Sequence, residues 1–238
     1  MKATFQFFAL WIVLFSLPVT ADDAMSDDNS GFLEGYNRAM FAVNDKVDSY
    51  LFKPVAKGYQ ILTPDFVELG VVNFFSNLGE IGNVINDLLQ GKGGQAVNDS
   101  GRFLVNTTLG IAGLFDVAGK MGMNKNEGGE DFGQTLGKWG VADGGYLVLP
   151  FLGPSSLRDA PARLIDSFTN PVRYIDHVPT RNTFYGTAAL NSRAELLDAE
   201  KVFAGDKYQL IKDAYLQRRE FLVNDGQVED DFGSYDDY

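Results

Sequence analysis

The chain has 238 residues, enough for one large domain or two small ones, and its 45% hydrophobic and 13% aromatic content supplies a packed core, which excludes a disordered protein. With 32 acidic against 20 basic residues and a net charge of −12, it lacks the excess of Lys and Arg that phosphate backbones require, so no nucleic acid is expected as a partner and adsorption to anionic lipid by charge alone is disfavoured. The absence of cysteine removes disulfides, thiolate catalysis, thiolate metal ligation and cysteine acylation together.

Lys2 precedes an apolar stretch at 5–17, Pro18, and then Val19, Thr20 and Ala21, which place small residues where a signal peptidase reads the chain. Residues 1–21 read as a signal peptide of Sec type cleaved near Ala21. The rival reading, an uncleaved anchor, needs about 20 apolar residues, and this stretch falls short. A polar lead at 22–30 follows, the main helical domain is expected over 31–225, and the acidic tail at 226–238 is expected to be disordered.

Tyr36, Met40, Val43, Val47 and Tyr50 recur at steps of three and four, the spacing of a helical face. Pro54 can open a second, short helix, and Thr63 with Pro64 reads as a cap followed by proline at the first helical position. Over residues 66–89 a helical wheel separates the side chains by half. Phe66, Val67, Val71, Phe74, Phe75, Leu78, Ile81, Val84, Ile85, Leu88 and Leu89 take one side; Glu68, Asn73, Ser76, Glu80, Asn83, Asn86, Asp87 and Gln90 take the other. Leu69, Val72 and Asn77 dissent.

As one helix this segment would be about 36 Å long. Gly79 and Gly82 leave open whether it is one helix or two. It reads either as a core helix of an all-α domain or as a helix lying in a membrane interface, because the apolar half is broader than the roughly 100° stripe a core helix needs. On the second reading Phe66, Val67, Val71, Phe74, Phe75, Leu78, Ile81 and Ile85 face the membrane. The segment carries no Lys or Arg, so apolar insertion and a protein partner would have to hold it there.

A further helix is expected beyond Gly91, ending near Gly110, then a short one around Leu114 to Ala118, and a polar loop over 121–137. The stretch "GGYLVLPFLGPSS" at 144–156 is apolar enough for a core, yet its glycines and prolines suit neither a regular helix nor a central strand. Ser155 or Ser156 is placed to cap a helix through Ala162, Leu164, Ile165 and Phe168, with a kink at Pro161, and 170–180 reads as extended. "RAELLDAEKVF" marks a helix over 183–203; Asp206 caps the last one, and Gly226 stops it. The fold class is all-α.

Catalytic patterns are missing. His177 is the only histidine, which excludes a paired-histidine zinc site, and neither Ser155 nor Ser156 lies in a Gly-x-Ser-x-Gly turn. No phosphate-loop pattern occurs, "MNKNEGGEDFG" lacks the carboxylate spacing of a calcium loop, and the adjacent pair Glu130 and Asp131 reads as solvated. No catalytic residue, metal or cofactor is therefore expected, and the chain does not read as an enzyme.

Several blocks taken together, "LEGYNRAMFAVNDKVD", "LLQGKGGQAVNDSGRFLVNTTLGIAGLFDVA", "EDFGQTLGKWGVADGGYLVLPFLGPSSLRD", "NPVRYID" and "RAELLDAE" with "YLQRREFLV", resemble in the same order those of the MlaA (VacJ) family over residues 33–223. The resemblance implies a Gram-negative outer-membrane protein, helical and ring-like, that sits beside a trimeric porin. It withdraws phospholipid from the outer leaflet through a central amphipathic channel and passes it to a soluble periplasmic carrier, so keeping the membrane asymmetric. On that expectation the 144–156 stretch lines the channel: Leu147, Val148, Leu149, Phe151 and Leu152 divide between wall and body, Gly144, Gly145 and Gly153 let the backbone bend, and Pro150 fixes a corner. The alternative is a structural adaptor that binds a porin or carrier without conducting lipid. One departure stands out: family members carry an acylated cysteine after the signal, and here there is none.

Overall fold

A computed structural model describes residues 27–200 and 205–227 of the chain. The segment read as a signal peptide, the start of the polar lead and the acidic tail beyond Gln227 lie outside the described residues. The chain divides into two compact units at Gly35 and Tyr36. Of the described residues, the first unit holds only the opening turns of one helix; the second holds the rest of that helix and every other element.

The structure is predominantly helical, as the periodicity predicts. Helix α1, Asp27–Val47, passes through a π-helical turn, Asp48–Phe52, into α2, Lys53–Leu62. Helix α3, Asp65–Leu89, is continuous through both internal glycines, which settles the question of one helix or two. Helix α4 follows at Gly93–Thr108, a single turn α5 at Val117–Lys120, and α6 at Phe132–Lys138. After a hairpin of β1, Tyr146–Leu149, and β2, Gly153–Ser156, come α7, Asp159–Thr169, a 3-10 turn, Pro171–Tyr174, then α8, Val178–Ala199, and α9, Lys207–Val223.

Prolines account for most differences from the sequence expectations. Pro64 is extended and occupies the N-cap of α3, so the helix starts one residue later than the Thr63 cap implied. Pro161 is the third residue of α7, where an N–H has no helical acceptor to lose, so it need not kink the helix. The 170–180 segment is not extended. Asn170 accepts a hydrogen bond from the Val172 amide to start the 3-10 turn, and α8 begins at Val178 with Pro179 in its first turn. The short helix expected around Leu114 to Ala118 starts later, at Val117, because Asp116 caps it, its carboxylate accepting from the Gly119 amide at 2.9 Å.

The 144–156 stretch is regular after all. Its strands are antiparallel, with Tyr146 opposite Ser156 and Val148 opposite Pro154; Gly144, Gly145 and Gly153 take positive φ at the ends, and Pro154 is accommodated because β2 has an open edge. A two-stranded ribbon alone is marginal. Here two asparagines on one face of α1 complete its outer edge. Asn37 donates to the Tyr146 carbonyl at 2.9 Å and accepts from the Val148 amide at 2.8 Å; Asn44, two turns on, does the same for the Leu149 carbonyl and the Phe151 amide. The side-chain amides stand in for a third strand. The N-cap of α7 is Arg158 rather than Ser155 or Ser156, but the Ser156 hydroxyl still accepts from the first helical amide, Asp159, at 3.0 Å.

Among the described residues, buried apolar side chains gather in two small clusters. Ala56, Ala194 and Leu197 join α2 to α8; Tyr146, Val148 and Tyr208 join the hairpin to α9, with Phe41 and Tyr215 packed against them. The rings of Tyr146 and Tyr208 meet edge to face at 6.1 Å.

Candidate functional site

Helices α3 and α4 are built inside out. The side chains that α3 buries are Asn77, Glu80, Asn86 and Asp87, and those of α4 are Ala96, Asp99, Arg102 and Asn106. Asn77, Glu80 and Asp87 share one stripe of α3, which faces the stripe of Asp99, Arg102 and Asn106 on α4, while Asn86 turns aside to accept from the Thr135 hydroxyl of α6 at 2.8 Å. Arg102 donates through Nε to Glu80 at 3.1 Å, through Nη2 to Asp116 at 3.1 Å and through Nη1 to the Met123 carbonyl at 3.0 Å. Asn77, which broke the apolar half of the wheel, is buried here and donates to Thr107 at 2.9 Å. Of the largest side chains that are fully buried among the described residues, only Val148 is apolar.

Burial sets the charge states in this interface. It raises the Glu80 pKa, against the hydrogen bonds from Asn83 and Arg102 that favour the carboxylate. Asp87 and Asp99, both fully buried, face one another across the helices. Burial first, and then the negative charge of Asp99, push Asp87 up to about 7, and burial raises Asp99 as well.

The outer faces carry the large apolar side chains. Phe66 is 77% exposed and Val97 74%, and Leu69, Leu88, Leu89, Leu104, Leu109, Ile111 and Phe115 extend the surface. Isolated exposed leucines are ordinary, but a helix pair that buries its charges and displays its leucines is the reverse of a water-soluble arrangement. Of the residues predicted to face a membrane, Phe66, Val67 and Ile85 are exposed, while Val71, Phe74, Phe75, Leu78 and Ile81 are half-buried. Phe74 and Phe75 pack on Phe184 of α8 at ring distances of 5.8 and 6.4 Å. No helix among the described residues is long and apolar enough to cross a membrane.

Beside α3 lies an open cavity of about 700 Å³. Val72, Phe75 and Leu78 of α3 give it an apolar side; Glu80 and Asn83, the 125–131 loop, Arg163 and Asp166 of α7, and Asn191 and Glu195 of α8 give it a polar one. The adjacent carboxylates Glu130 and Asp131, which read as solvated, are both ion-paired, and Glu130 is also withdrawn from solvent. Glu130 takes an ion pair from Lys92 at 2.9 Å, and Asp131 is held below the usual carboxylate range, against its burial, by the Arg219 guanidinium. Asp166 accepts from the Phe132 amide at 2.9 Å; burial, and secondarily the charge of Asp131, raise it to about 6.

None of residues 144–156 lines this cavity. Leu147 and Leu149 are half-buried on the hairpin, Pro150, Phe151 and Leu152 form its exposed tip, and Gly153 borders a separate pocket of about 160 Å³ beside Phe41 and Val148. The hairpin reaches the cavity only through Arg163, which donates to the Leu152 carbonyl at 3.1 Å and the Pro154 carbonyl at 2.6 Å. His177 is exposed and bonds to Thr180 at the start of α8. Sequence reasoning missed Arg163, Asp166 and Glu195; the only signal for the cavity was the polar half of the 66–89 wheel, which contained Glu80 and Asn83. Among the described residues no group of three or more His, Asp or Glu side chains is placed to hold a metal ion.

Buried charge, an apolar exterior and a two-sided cavity define a helical protein made for an apolar surrounding, without a spanning helix among the described residues. The chain belongs to the MlaA lipoprotein family, whose model matches residues 30–222. It is 36% identical over 201 residues to the intermembrane phospholipid transport system lipoprotein MlaA of Escherichia coli, covering 82% of this chain and 79% of that one. The corresponding protein of Haemophilus influenzae is 30% identical over 211 residues, 87% of this chain and 84% of its own. A solved structure concerned with maintenance of bacterial outer-membrane lipid asymmetry superposes with a TM-score of 0.71 at 34% identity, covering 81% of this chain and 98% of that one.

Proposed function

We propose that the chain is the outer-membrane component of an intermembrane phospholipid transport system, taking phospholipid from the outer leaflet and delivering it towards a soluble periplasmic carrier, in company with a trimeric porin. The observation that carries this reading is the inverted α3–α4 pair: charge inside, phenylalanine and leucine outside. Such a pair is stable only where the outer face meets acyl chains or an equally apolar neighbour. The cavity beside it has the two surfaces a phospholipid needs, apolar for the tails and polar for the head group.

The family relatives are lipoproteins, whereas no cysteine stands in this sequence to carry an acyl chain. A single acyl chain contributes only marginal membrane binding, so the apolar belt and the porin suffice to hold the protein. The hairpin tip, Phe151 and Leu152, adds apolar surface near the cavity and fits a role at its entrance.

Photocrosslinking residues placed at Val72, Phe75 and Leu78 test the conduit. Phospholipid captured from these positions in cells supports it. Capture of porin from Phe66 and Leu69 with no lipid from the cavity positions favours the non-conducting adaptor instead.

A further inference from the structure

The cavity holds charges of both signs that the protein leaves without counter-ions. Three of its carboxylates are neutralised from within the fold: Glu80 by Arg102, Glu130 by Lys92 and Asp131 by Arg219. Among the described residues, Asp166 and Glu195 have no cation within ion-pair distance, and Arg163 and Lys125 no carboxylate. Arg163 spends two of its donors on carbonyl oxygens, which fix the guanidinium without neutralising it. Asp166 lies one turn further along α7, where residues three apart share a face, yet the two do not pair. Opposite charges held apart on one wall match a ligand that carries its own pair of charges in fixed sequence.

Resting on the conduit reading, we propose that this wall is a head-group site selective for zwitterionic phospholipid. Arg163 takes the phosphate, Asp166 takes the ammonium that follows it, and Glu195 and Lys125 widen the same pattern. An anionic head group of the glycerol type would satisfy Arg163 but leave Asp166 facing hydroxyls and close to the phosphate, so it is rejected by what it fails to neutralise. The elevated proton affinity of Asp166 agrees with a half-buried carboxylate that has no cation within ion-pair distance among the described residues.

The test uses the full chain in detergent micelles with a fluorescent phosphatidylethanolamine labelled on an acyl chain, displaced by unlabelled phosphatidylethanolamine or phosphatidylglycerol of the same acyl composition. Phosphatidylethanolamine is expected to compete about tenfold better, the worth of one charge-assisted contact of about 1.4 kcal/mol. Asp166→Asn keeps the acceptor for the Phe132 amide and is expected to bring the ratio near unity by weakening phosphatidylethanolamine alone. Glu195→Gln, at a residue without an ion-pair partner among the described residues, is expected to lower the ratio about two- to threefold. Arg163→Gln is expected to weaken both lipids together. Equal competition by the two lipids, or an unchanged ratio in Asp166→Asn, overturns the selectivity and leaves the conduit standing. Failure of any lipid to bind overturns both.

Discussion

Arg102 and Glu80 meet across the α3–α4 interface with their side chains only 2% and 3% exposed, Nε to Oε1 at 3.1 Å. Such a pair contributes little net stability of its own, because the desolvation of both charges opposes their attraction; its significance is that it cannot be broken on one side. Arg102→Met leaves Glu80 buried without its cation and Asp116 with Asn106 and the Gly119 amide alone, and is expected to cost about 3–5 kcal/mol in denaturant unfolding of the detergent-solubilised protein. Adding Glu80→Gln should recover part of that loss. A single variant as stable as the parent would mean that these charges are not buried.

The Asp87–Asp99 pair gives stability a definite pH slope. Both pKa values are raised on folding, so from about pH 4 to about pH 7 the folded protein binds more protons than the unfolded one, and this pair's contribution falls as pH rises through that window. Asp87→Asn offers Asp99 an amide donor without a second charge to bury. Melting temperatures of parent and variant should coincide near pH 4 and diverge in favour of the variant by pH 8. A difference that does not change with pH would contradict the assignment.

Asn37 holds the hairpin from the inside and Asn44 from the rim. Asn37→Ala strands the Tyr146 carbonyl and the Val148 amide in a buried place and is expected to cost about 2–4 kcal/mol; Asn44→Ala, at the exposed end, about 1 kcal/mol. Amide hydrogen exchange at Val148 and Phe151 reads each loss separately.

Much of the fold was legible in the sequence. The 66–89 wheel located both faces of α3, and the breadth of its apolar half already pointed away from an ordinary core helix. What the wheel lacks is a direction, because segregation looks the same whether the polar half faces water or another polar helix. The partners that turn α3 inside out come from elsewhere: Arg102 is 22 residues from Glu80. Glu130 and Asp131 looked solvated for the same reason, since Lys92 and Arg219 reach them from 38 and 88 residues away. The hairpin was hidden because its third strand is a pair of asparagine side chains more than 100 residues upstream, and local propensity cannot register such a partner. The cavity draws its polar wall from α3, a loop, α7 and α8, so no single segment announced it.

Phe151 combines a left-handed backbone, φ 61°, with a side chain that is 69% exposed. A non-glycine residue there costs roughly 1 kcal/mol or more and gains nothing from packing, which points to a use outside the fold. Phe151→Gly is expected to leave the melting temperature unchanged or raised by a few degrees while reducing partitioning into liposomes. Lower stability with unchanged partitioning would assign Phe151 a purely structural role.

The central claim is that the outer faces of α3 and α4 lie in lipid. Because the chain has no cysteine, single nitroxide labels can be placed at Phe66, Leu69, Leu88 and Leu104 through introduced thiols without altering any native residue elsewhere. With the protein reconstituted in bilayers, power-saturation electron paramagnetic resonance should find these four sites open to oxygen and shielded from a water-soluble nickel chelate, and a label at Asn83 in the cavity open to the chelate. Four outer sites as accessible to nickel as the cavity site would contradict the account.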